Sequence, residues 1–405
     1  MSAADRTFAF VGQLPGSKSM LNRLLLAKSY SPSLTIAGES QCEDVQLMIQ
    51  GLADLNRPSS GAAREISVGS GGTVLRLLAL RAARLGGEFI LRGTTRLFER
   101  PQDELLKILR QLGVDGELGS NFLRLKGSGW KLHGDTLLVP FARSSQFATA
   151  VLLNAWDLPF DLFVSLGGQK VSEGYWRMSV RIAHDLGMKI DFWDGDFRIP
   201  GGQKIAAQSY AAETDLSSAF AVAAVAAVSG SASFTDFPTQ SLQPDAEFVR
   251  IIGSMGVPMI MSGATLRVDK ADALNGVAVN LKNCPDLFPV LAALCTLAEG
   301  DSHLYGASQL AHKESNRMQR MSEMIQRLGR NAEVLDDGLM IRGPALRPPV
   351  ALAQAEPVMV ECDQDHRLAF AAAVFRAAGF NITIEHPEVV RKSFPEFWNL
   401  LGWQM

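Results

Sequence analysis

The amino-acid sequence predicts an α/β protein organised as two similar halves. Three observations support this: apolar residues recur at helical spacing, each such segment ends at a glycine or an asparagine, and an alternating apolar stretch typical of a strand usually follows. The segments end at Asn56, Gly113, Gly187, Gly256, Gly329 and Gly402. Consecutive ends lie 57 to 74 residues apart, which indicates six copies of one supersecondary unit.

Each repeat is too long for a solenoid and has room for two helices and several strands, so three repeats can enclose one core. Two domains are therefore predicted, with the boundary in the polar, small-residue segment 201–215 and a hinge near Glu213. The alternative is that helix, glycine and strand simply follow one another, as they do in many α/β proteins, and that the spacing is coincidental.

The composition describes a folded protein without a dominant charge. The chain has 405 residues, 47% of them hydrophobic, and a formal net charge of -3. The length and the hydrophobic fraction are enough for two cores. The net charge lacks the basic excess that non-specific nucleic-acid binding needs. The longest apolar run, from Ala219 to Val228, is shorter than the roughly 20 residues of a membrane-spanning helix. We expect neither nucleic-acid nor membrane partners.

The cysteines and histidines do not form a metal-binding pattern. The four cysteines are far apart in sequence and form no C-x-x-C pair, and the histidines show no i, i+4 pairing. Together with an N-terminus that lacks an export signal, this favours reduced thiols, a cytoplasmic location and no metal.

The segment Pro15-Gly16-Ser17-Lys18-Ser19 predicts an anion site. It follows a strand-like stretch and opens a helix over 20–30 that carries Arg23 one turn later. Backbone N–H groups, two hydroxyls and an ammonium meet there, as a phosphate or carboxylate requires. The nucleotide-binding loop G-x-x-x-x-G-K-[ST] almost fits from Gly12, but Ser17 replaces its last glycine, so an ATP site, another anion site and an ordinary loop all remain open.

A second glycine cluster, 69–73, precedes a helix with Arg76 and is a further candidate anion site; it fails the dinucleotide fingerprint at Val74. Pro101 suits the first position of the next helix, which predicts that Arg100 lies beside a helix N-terminus. Other polar clusters in apolar surroundings are each more typical of a cap or a solvated face, but they recur in successive repeats.

These motifs resemble, in order, the active-site segments of the 5-enolpyruvylshikimate-3-phosphate (EPSP) synthase family. LPGSKSMLNRLLLA resembles the family signature. The remaining segments are GSGGTVLR, RLFERP, SSQFATAVL, VSEGY, ETDLSSA, NCPDLFPVLA, HKESNR, DQDHRLA and RKSFPEF, so the resemblance covers almost the whole chain.

The resemblance implies a two-domain inside-out α/β barrel, the enolpyruvyl transferase fold, with three βαβαββ-type repeats in each domain. The first strand would belong with the C-terminal half. The expected domains are 17–212, and 1–16 together with 213–405, with hinges near Gly16 and Glu213. Since site residues would come from both domains, we expect substrate binding to close them, which small-angle scattering with and without shikimate 3-phosphate would test.

The reaction implied is transfer of the enolpyruvyl group of phosphoenolpyruvate to the 5-hydroxyl of shikimate 3-phosphate, with release of phosphate and no cofactor, in a protein expected to be a monomer. By resemblance, Asp286 accepts the hydroxyl proton, Glu314 handles the proton at the methylene carbon, and Lys18 lies close to both substrates.

The resemblance also assigns the two substrate sites. The phosphoenolpyruvate site would consist of Lys18, Gly72, Arg100, Gln146, Arg317, Arg367 and Lys392. The shikimate 3-phosphate site would consist of Lys18, Ser19, Arg23, Ser144, Ser145, Gln146, Ser172, Tyr175, Asp286, Gln309 and Lys313. Arginine suits the two-pronged recognition of phosphate and carboxylate groups.

Several positions depart from the family pattern. Ser70 replaces an Asn, Leu77 a Pro, Glu173-Gly174 a Lys-Pro pair, Gln309 an Asn and Asn316 an Asp. Because Ser70 and Leu77 flank the loop expected to hold phosphoenolpyruvate, we expect altered affinity there and reduced sensitivity to glyphosate, its competitive inhibitor.

Two rivals remain open. One is the sister family that transfers enolpyruvyl to UDP-N-acetylglucosamine, but no cysteine lies between Leu91 and Glu104, where that family usually carries its reactive thiol. The other is a non-catalytic binding protein that has kept the fold, because a fold alone does not imply a function.

Overall fold

The computed structural model describes residues 7–58, 62–168, 170–343 and 356–403. Its strands are β1 Phe8–Gly12, β2 Thr35–Ala37, β3 Arg64–Gly69, β4 Gly87–Gly93, β5 Asp115–Leu118, β6 Phe122–Gly127, β7 Leu137–Pro140, β8 Leu162–Gly167, β9 Asp191–Trp193, β10 Asp196–Ile199, β11 Ser209–Ala211, β12 Gly230–Phe234, β13 Met259–Ser262, β14 Thr265–Asp269, β15 Ala278–Asn280, β16 Ser302–Tyr305, β17 Asn331–Leu335, β18 Gly338–Arg342, β19 Val358–Glu361 and β20 Ile382–Glu385.

The helices are α1 Lys18–Lys28, α2 Glu43–Leu55, α3 Gly72–Leu85, α4 Thr95–Glu99, α5 Asp103–Gln111, α6 Gln146–Leu153, α7 Glu173–Asp185, α8 Leu216–Ser229, α9 Glu247–Ser254, α10 Phe288–Leu297, α11 Arg317–Arg327, α12 His366–Ala377 and α13 Phe397–Leu400. Short 3₁₀ turns occupy Pro244–Ala246, Pro285–Leu287, Ser308–His312 and Pro387–Lys392. In the described part of the chain, no helix is both long and apolar enough to cross a bilayer.

The predicted repeat has a physical counterpart in the sheets. Four sheets share one strand order, in which a parallel pair is extended by an antiparallel hairpin: β3-β4-β6-β5, β7-β8-β10-β9, β1-β12-β14-β13 and β15-β16-β18-β17. Two further parallel pairs are β11-β2 and β19-β20. In each of the four larger sheets, a helix precedes the second strand of the parallel pair and another precedes the hairpin. The resulting order is βαβαββ, as the α/β prediction requires.

Five of the six predicted helix ends have the expected backbone. Gly113, Gly187, Gly256, Gly329 and Gly402 have φ between 70° and 103°, the left-handed region in which glycine carries no Cβ penalty. Asn56 differs, because it ends its helix at φ -92° in the right-handed region.

The chain divides into two compact units. The N-terminal unit is Gly16–Ala212, and the second unit combines Met1–Pro15 with Glu213–Met405. The first strand of the chain belongs to the second unit, where β1 pairs in parallel with β12, Phe8 opposite Gly230.

Each unit buries a set of three helices. In the second unit α8, α10 and α12 pack against one another, and almost all of their residues are buried. In the N-terminal unit α1, α3 and α6 pack together in the same way. A helix that is apolar on all sides is expected in a core, and in each unit strands pack against these helices.

Two sequence-based helix boundaries are corrected. The first helix begins at Lys18 rather than Met20, because the side chain of Ser17 accepts a hydrogen bond from the Met20 N–H and caps it. Pro101 is not the first residue of a helix: α5 begins at Asp103, whose carboxylate suits the positive helix N-terminus. Arg100 is extended at ψ 152°, as expected for a residue before proline.

Candidate active site

In the N-terminal unit, the predicted anion loop places Lys18 on the first turn of α1. Its ammonium forms a 3.0 Å ion pair with the carboxylate of Asp44 on α2, and both side chains are largely buried. Ser19 follows on the same turn, so the hydroxyl and the ammonium share the positive end of a helix.

Arg23 is a buried cation that donates hydrogen bonds to three neutral oxygens. Its Nε donates to Ser179 Oγ at 2.8 Å, Nη1 to the Ser19 carbonyl at 2.6 Å and Nη2 to the Tyr175 carbonyl at 3.4 Å. Burial lowers the pKa of Arg23 to about 10, so it still carries its charge near neutral pH. A buried positive charge held by neutral groups is suited to an anionic ligand.

Gly72 opens α3 directly against the guanidinium of Arg100. A Cβ at Gly72 would lie 3.0 Å from Nη1 and Nη2 of Arg100, so a larger residue would make the guanidinium shift from this position. Arg100 itself is buried. The helix N-terminus and the guanidinium together make a positively charged surface beside the glycine loop.

The serine pair lies at the start of α6. Ser145 directly precedes the helix and is buried, and Ser144 Oγ accepts a hydrogen bond from the Gln146 N–H at 3.2 Å. The side-chain oxygen of Gln146 accepts a hydrogen bond from Arg76 of α3. The starts of α3 and α6 are thereby joined.

Ser172 and Tyr175 lie at the start of α7. Ser172 has φ 53° and ψ 38°, a left-handed conformation that is unfavourable for a serine and is often found at ligand sites. Tyr175 is on the first turn of the helix, and its carbonyl accepts the Arg23 hydrogen bond described above.

In the second unit, Asp286 is held by two arginines and a lysine. It lies in the 3₁₀ turn before α10. Arg367 Nη2 donates to its Oδ2 at 2.9 Å, Arg317 Nη1 donates to its Oδ1 at 2.9 Å, and Lys313 Nζ lies 3.7 Å from Oδ1. Arg367 Nη1 also donates to the Asp286 carbonyl at 3.1 Å.

Arg317 is the centre of this cluster and is only 1% exposed. Besides Asp286 it contacts Glu314 through Nη2 at 3.1 Å and Asp365 through Nε at 2.8 Å. Asp365 also accepts from Ser315 Oγ at 3.0 Å. Three carboxylates around one guanidinium fix its plane and leave it little freedom to turn.

The charges around Asp286 stabilise its ionised form. Burial alone would raise its pKa, but Arg367, then Lys313 and Arg317, lower the pKa of Asp286 well below its ordinary value. Burial would likewise lower the pKa of Arg317, but Asp365, Glu314 and Asp286 raise it above its ordinary value.

The remaining predicted residues border the same cluster. Lys392 ends the 3₁₀ turn Pro387–Lys392, is buried, and has Nζ 3.9 Å from Glu314. Gln309 is buried and its Nε2 donates to the Lys282 carbonyl at 3.4 Å. Within the second unit, Asp286, Glu314, Arg317, Arg367, Lys313 and Lys392 are therefore brought together.

Sequence reasoning did not assign three residues that hold these groups in place. They are Asp44 opposite Lys18, Ser179 opposite Arg23, and Asp365 opposite Arg317. Asp365 carries a sequence signal, because an Asp before a helical run is typical of an N-cap, and its side chain does accept from the Arg367 N–H at 3.1 Å. Nothing in the sequence distinguishes Asp44 or Ser179 from ordinary helix residues.

Each unit therefore places cations at the N-terminal ends of helices, and the N-terminal unit adds hydroxyls there. The second unit adds two carboxylates, Asp286 and Glu314, which contact different terminal nitrogens of Arg317. Fixed cations bind and polarise anionic oxygens, and carboxylates beside them can move protons. This set of groups suits the transfer of a group between phosphorylated or carboxylated molecules.

Comparisons with known proteins agree with this chemistry. The model of the family described as EPSP synthase (3-phosphoshikimate 1-carboxyvinyltransferase) matches residues 9–401. A protein from Methanoculleus marisnigri named 3-phosphoshikimate 1-carboxyvinyltransferase is 30% identical over 96% of this chain and 94% of its own length. One of the same name from Syntrophobacter fumaroxidans is 31% identical over 95% and 94%.

Solved structures show the same fold. An EPSP synthase from Acinetobacter baumannii superposes with a TM-score of 0.72 at 22% identity, covering 98% of this chain and 95% of its own. The enolpyruvyl transferase NikO from Streptomyces tendae superposes with a TM-score of 0.70 at 14% identity, covering 98% and 95%. The predicted enolpyruvyl transferase fold is confirmed, and with the match over residues 9–401 the chain belongs to the EPSP synthase (3-phosphoshikimate 1-carboxyvinyltransferase) family.

Proposed function

We propose that this protein is a 3-phosphoshikimate 1-carboxyvinyltransferase, which transfers the enolpyruvyl group of phosphoenolpyruvate to the 5-hydroxyl of shikimate 3-phosphate and releases phosphate. The family membership supports the activity. The observation that carries the proposal for this chain is the Asp286–Arg317–Glu314 arrangement, in which one buried guanidinium separates two carboxylates at 2.9 and 3.1 Å.

In the first step, Asp286 accepts the proton of the 5-hydroxyl as the hydroxyl oxygen bonds to C2 of phosphoenolpyruvate. Glu314 delivers a proton to the methylene carbon C3, so the double bond becomes a tetrahedral adduct. In the second step, the C2–O bond to phosphate breaks and the departing phosphate oxygen takes the proton held by Asp286, while C3 loses a proton to Glu314, which restores the double bond. Glu314 gives the proton to C3 in the first step and takes a proton back from C3 in the second.

The cations neutralise the anionic groups of both substrates. The phosphoenolpyruvate set is Lys18, Gly72, Arg100, Gln146, Arg317, Arg367 and Lys392, and the shikimate 3-phosphate set is Lys18, Ser19, Arg23, Ser144, Ser145, Gln146, Ser172, Tyr175, Asp286, Gln309 and Lys313. Gly72 supports the first set because its missing side chain admits Arg100. Arg23 supports the second because its charge is buried among neutral partners.

The cations that keep Asp286 ionised also make it a weak base while no substrate is bound. Its pKa lies well below the ordinary value because Arg367, Lys313 and Arg317 face it. Anionic substrate groups that bind these cations partly neutralise the positive charge facing Asp286, and this raises the pKa of Asp286. The base therefore gains strength when the substrates bind.

The protein acts as a monomer in the cytoplasm. The four free, buried cysteines support a reducing compartment. Sedimentation equilibrium of the purified protein at several concentrations tests the monomer, and a mass of two chains would contradict it.

Phosphate release from phosphoenolpyruvate tests the activity. Release that requires shikimate 3-phosphate, and that does not occur with UDP-N-acetylglucosamine, is the expected result. Release with UDP-N-acetylglucosamine instead would assign the chain to the other transfer reaction. Binding of shikimate 3-phosphate without any release would indicate a binding protein.

A further inference from the structure

Arg23 depends on one hydroxyl for the direction of its guanidinium. Arg23 extends from α1, and its Nε, the donor nearest the main chain, is 2.8 Å from Ser179 Oγ on α7. Arg23 and Ser179 are both buried. An Nε without an acceptor at this depth carries the full cost of its lost hydration, so the side chain would have to turn.

The hydrogen bonds around Ser179 have one consistent direction. Arginine only donates, so Ser179 Oγ accepts from Arg23 Nε. The single hydroxyl proton of Ser179 is given to the Tyr175 carbonyl at 2.8 Å. The remaining contact, Thr149 Oγ1 to Ser179 Oγ at 2.8 Å, is then a bond that Thr149 donates.

This network joins the three helices that carry predicted shikimate 3-phosphate residues. Arg23 lies on α1 with Ser19, Thr149 lies on α6 one turn after Gln146, and Ser179 lies on α7 one turn after Tyr175. The network is internal to the N-terminal unit, and Thr149 and Ser179 are 1% and 0% exposed. Their hydroxyls therefore act on a ligand only through the residues that Ser179 contacts, the Arg23 guanidinium and the main chain of Tyr175.

We infer that Ser179 and Thr149 are positioning residues that orient the Arg23 guanidinium toward the shikimate 3-phosphate site. The inference rests on the proposed function. Ser179 sets the direction of Nε, and Thr149 donates to one lone pair of the Ser179 oxygen, which leaves the other lone pair facing Arg23. A hydroxyl that served only its own helix would be satisfied by the Tyr175 carbonyl and would leave substrate affinity unchanged.

The test compares three variants with the wild-type chain in direct binding and in steady-state kinetics. Ser179→Ala removes the acceptor of Arg23, Ser179→Thr keeps a hydroxyl at the same place, and Thr149→Val removes only the supporting donor. Thr296→Val is the matched control for Thr149→Val, because Thr296 is equally buried but donates only to the Ala292 carbonyl of its own helix at 2.7 Å.

Ser179→Ala is expected to weaken shikimate 3-phosphate binding roughly ten- to a hundredfold, the range for a lost hydrogen bond to a charged group. Thr149→Val weakens it less, and Ser179→Thr restores most of it. The KM for phosphoenolpyruvate and kcat at saturating shikimate 3-phosphate change little. Thr296→Val changes neither substrate constant.

Other results would overturn the inference. Unchanged shikimate 3-phosphate affinity in Ser179→Ala, or equal losses for both substrates, would assign Ser179 a purely structural role. If Ser179→Ala does not fold, the shikimate 3-phosphate affinities of Thr149→Val and Thr296→Val are compared instead. Equal affinities in these two variants would overturn the inference. A wild-type chain that binds no shikimate 3-phosphate would overturn the proposed function as well, whereas an active wild type with an unaffected Ser179→Ala variant overturns only the positioning role.

Discussion

The guanidinium of Arg367 donates hydrogen bonds to both the carboxylate and the main-chain carbonyl of Asp286. Nη2 donates to Oδ2 at 2.9 Å and Nη1 donates to the main-chain carbonyl at 3.1 Å. These two contacts fix the position of the proposed base relative to the start of α10. They also place a full positive charge beside it, which couples the basicity of Asp286 to whatever binds Arg367.

Asp286→Asn is expected to lower kcat by about 10²- to 10⁴-fold, the range for loss of a general base, while shikimate 3-phosphate still binds. The amide keeps the shape of the carboxylate but does not accept the hydroxyl proton. Phosphate release with both substrates saturating measures the effect, with calorimetric binding of shikimate 3-phosphate as the control. Turnover equal to that of the wild type would exclude Asp286 as the base.

Acid should destabilise the wild-type chain more steeply than the Asp286→Asn variant. The pKa of Asp286 in the folded chain is lowered well below its ordinary value, because its three cations outweigh the effect of burial. Such a group contributes stability that is fully present above the unfolded pKa, about 4, and is lost as pH falls through the folded pKa. Thermal unfolding between about pH 6 and pH 3 measures this, and parallel curves for the two proteins would contradict it.

Arg317→Met should be strongly destabilising, by about 3–5 kcal/mol, because it leaves three carboxylates without the charge they share. The matched control is Arg320→Met on the same helix. Arg320 is 35% exposed and pairs with Glu323 and Asp363, and a pair of this kind is worth about 1 kcal/mol or less. Urea unfolding monitored by fluorescence measures the free energy of unfolding of both variants. Equal losses would show that the buried cluster stabilises the fold no more than the exposed pairs of Arg320 do.

Gly72→Ala should weaken phosphoenolpyruvate binding about tenfold, the equivalent of about 1.4 kcal/mol for one weakened bond to a charged group. The added Cβ would lie 3.0 Å from both terminal nitrogens of Arg100 and displace the guanidinium. Gly167→Ala is the control, since nothing lies within 4 Å of a Cβ there. The KM values for both substrates measure the change, and an equal rise for shikimate 3-phosphate would argue against a local effect on Arg100.

Glyphosate is expected to inhibit this protein weakly, and Ser70→Asn is expected to tighten the inhibition. Ser70 directly precedes Gly71, the N-cap of α3, and Leu77 is buried within that helix. Competition against phosphoenolpyruvate yields both inhibition constants. A wild-type constant as low as that of sensitive family members would contradict this expectation.

Many residues of the candidate site stand out in the sequence because they begin helices. Lys18, Gly72, Gln146 and Arg317 each occupy the first position of a helix, and a helix N-terminus leaves a recognisable pattern of glycine, serine and polar residues ahead of an apolar run. The error at Pro101 shows the limit of such patterns. Proline tolerates both the first helical position and the extended segment before it, so the local sequence did not decide between them.

The sequence by itself determined the repeat, its glycine caps, the α/β class and the family, because these depend on residues that are close together in the chain. Only the tertiary structure decided which acid or hydroxyl faces which cation. Arg317 meets Asp365 across 48 residues, and Arg23 meets Ser179 across 156. Those partners are chosen by how buried helices pack, and once buried, each charge or donor must find a partner because water no longer reaches it.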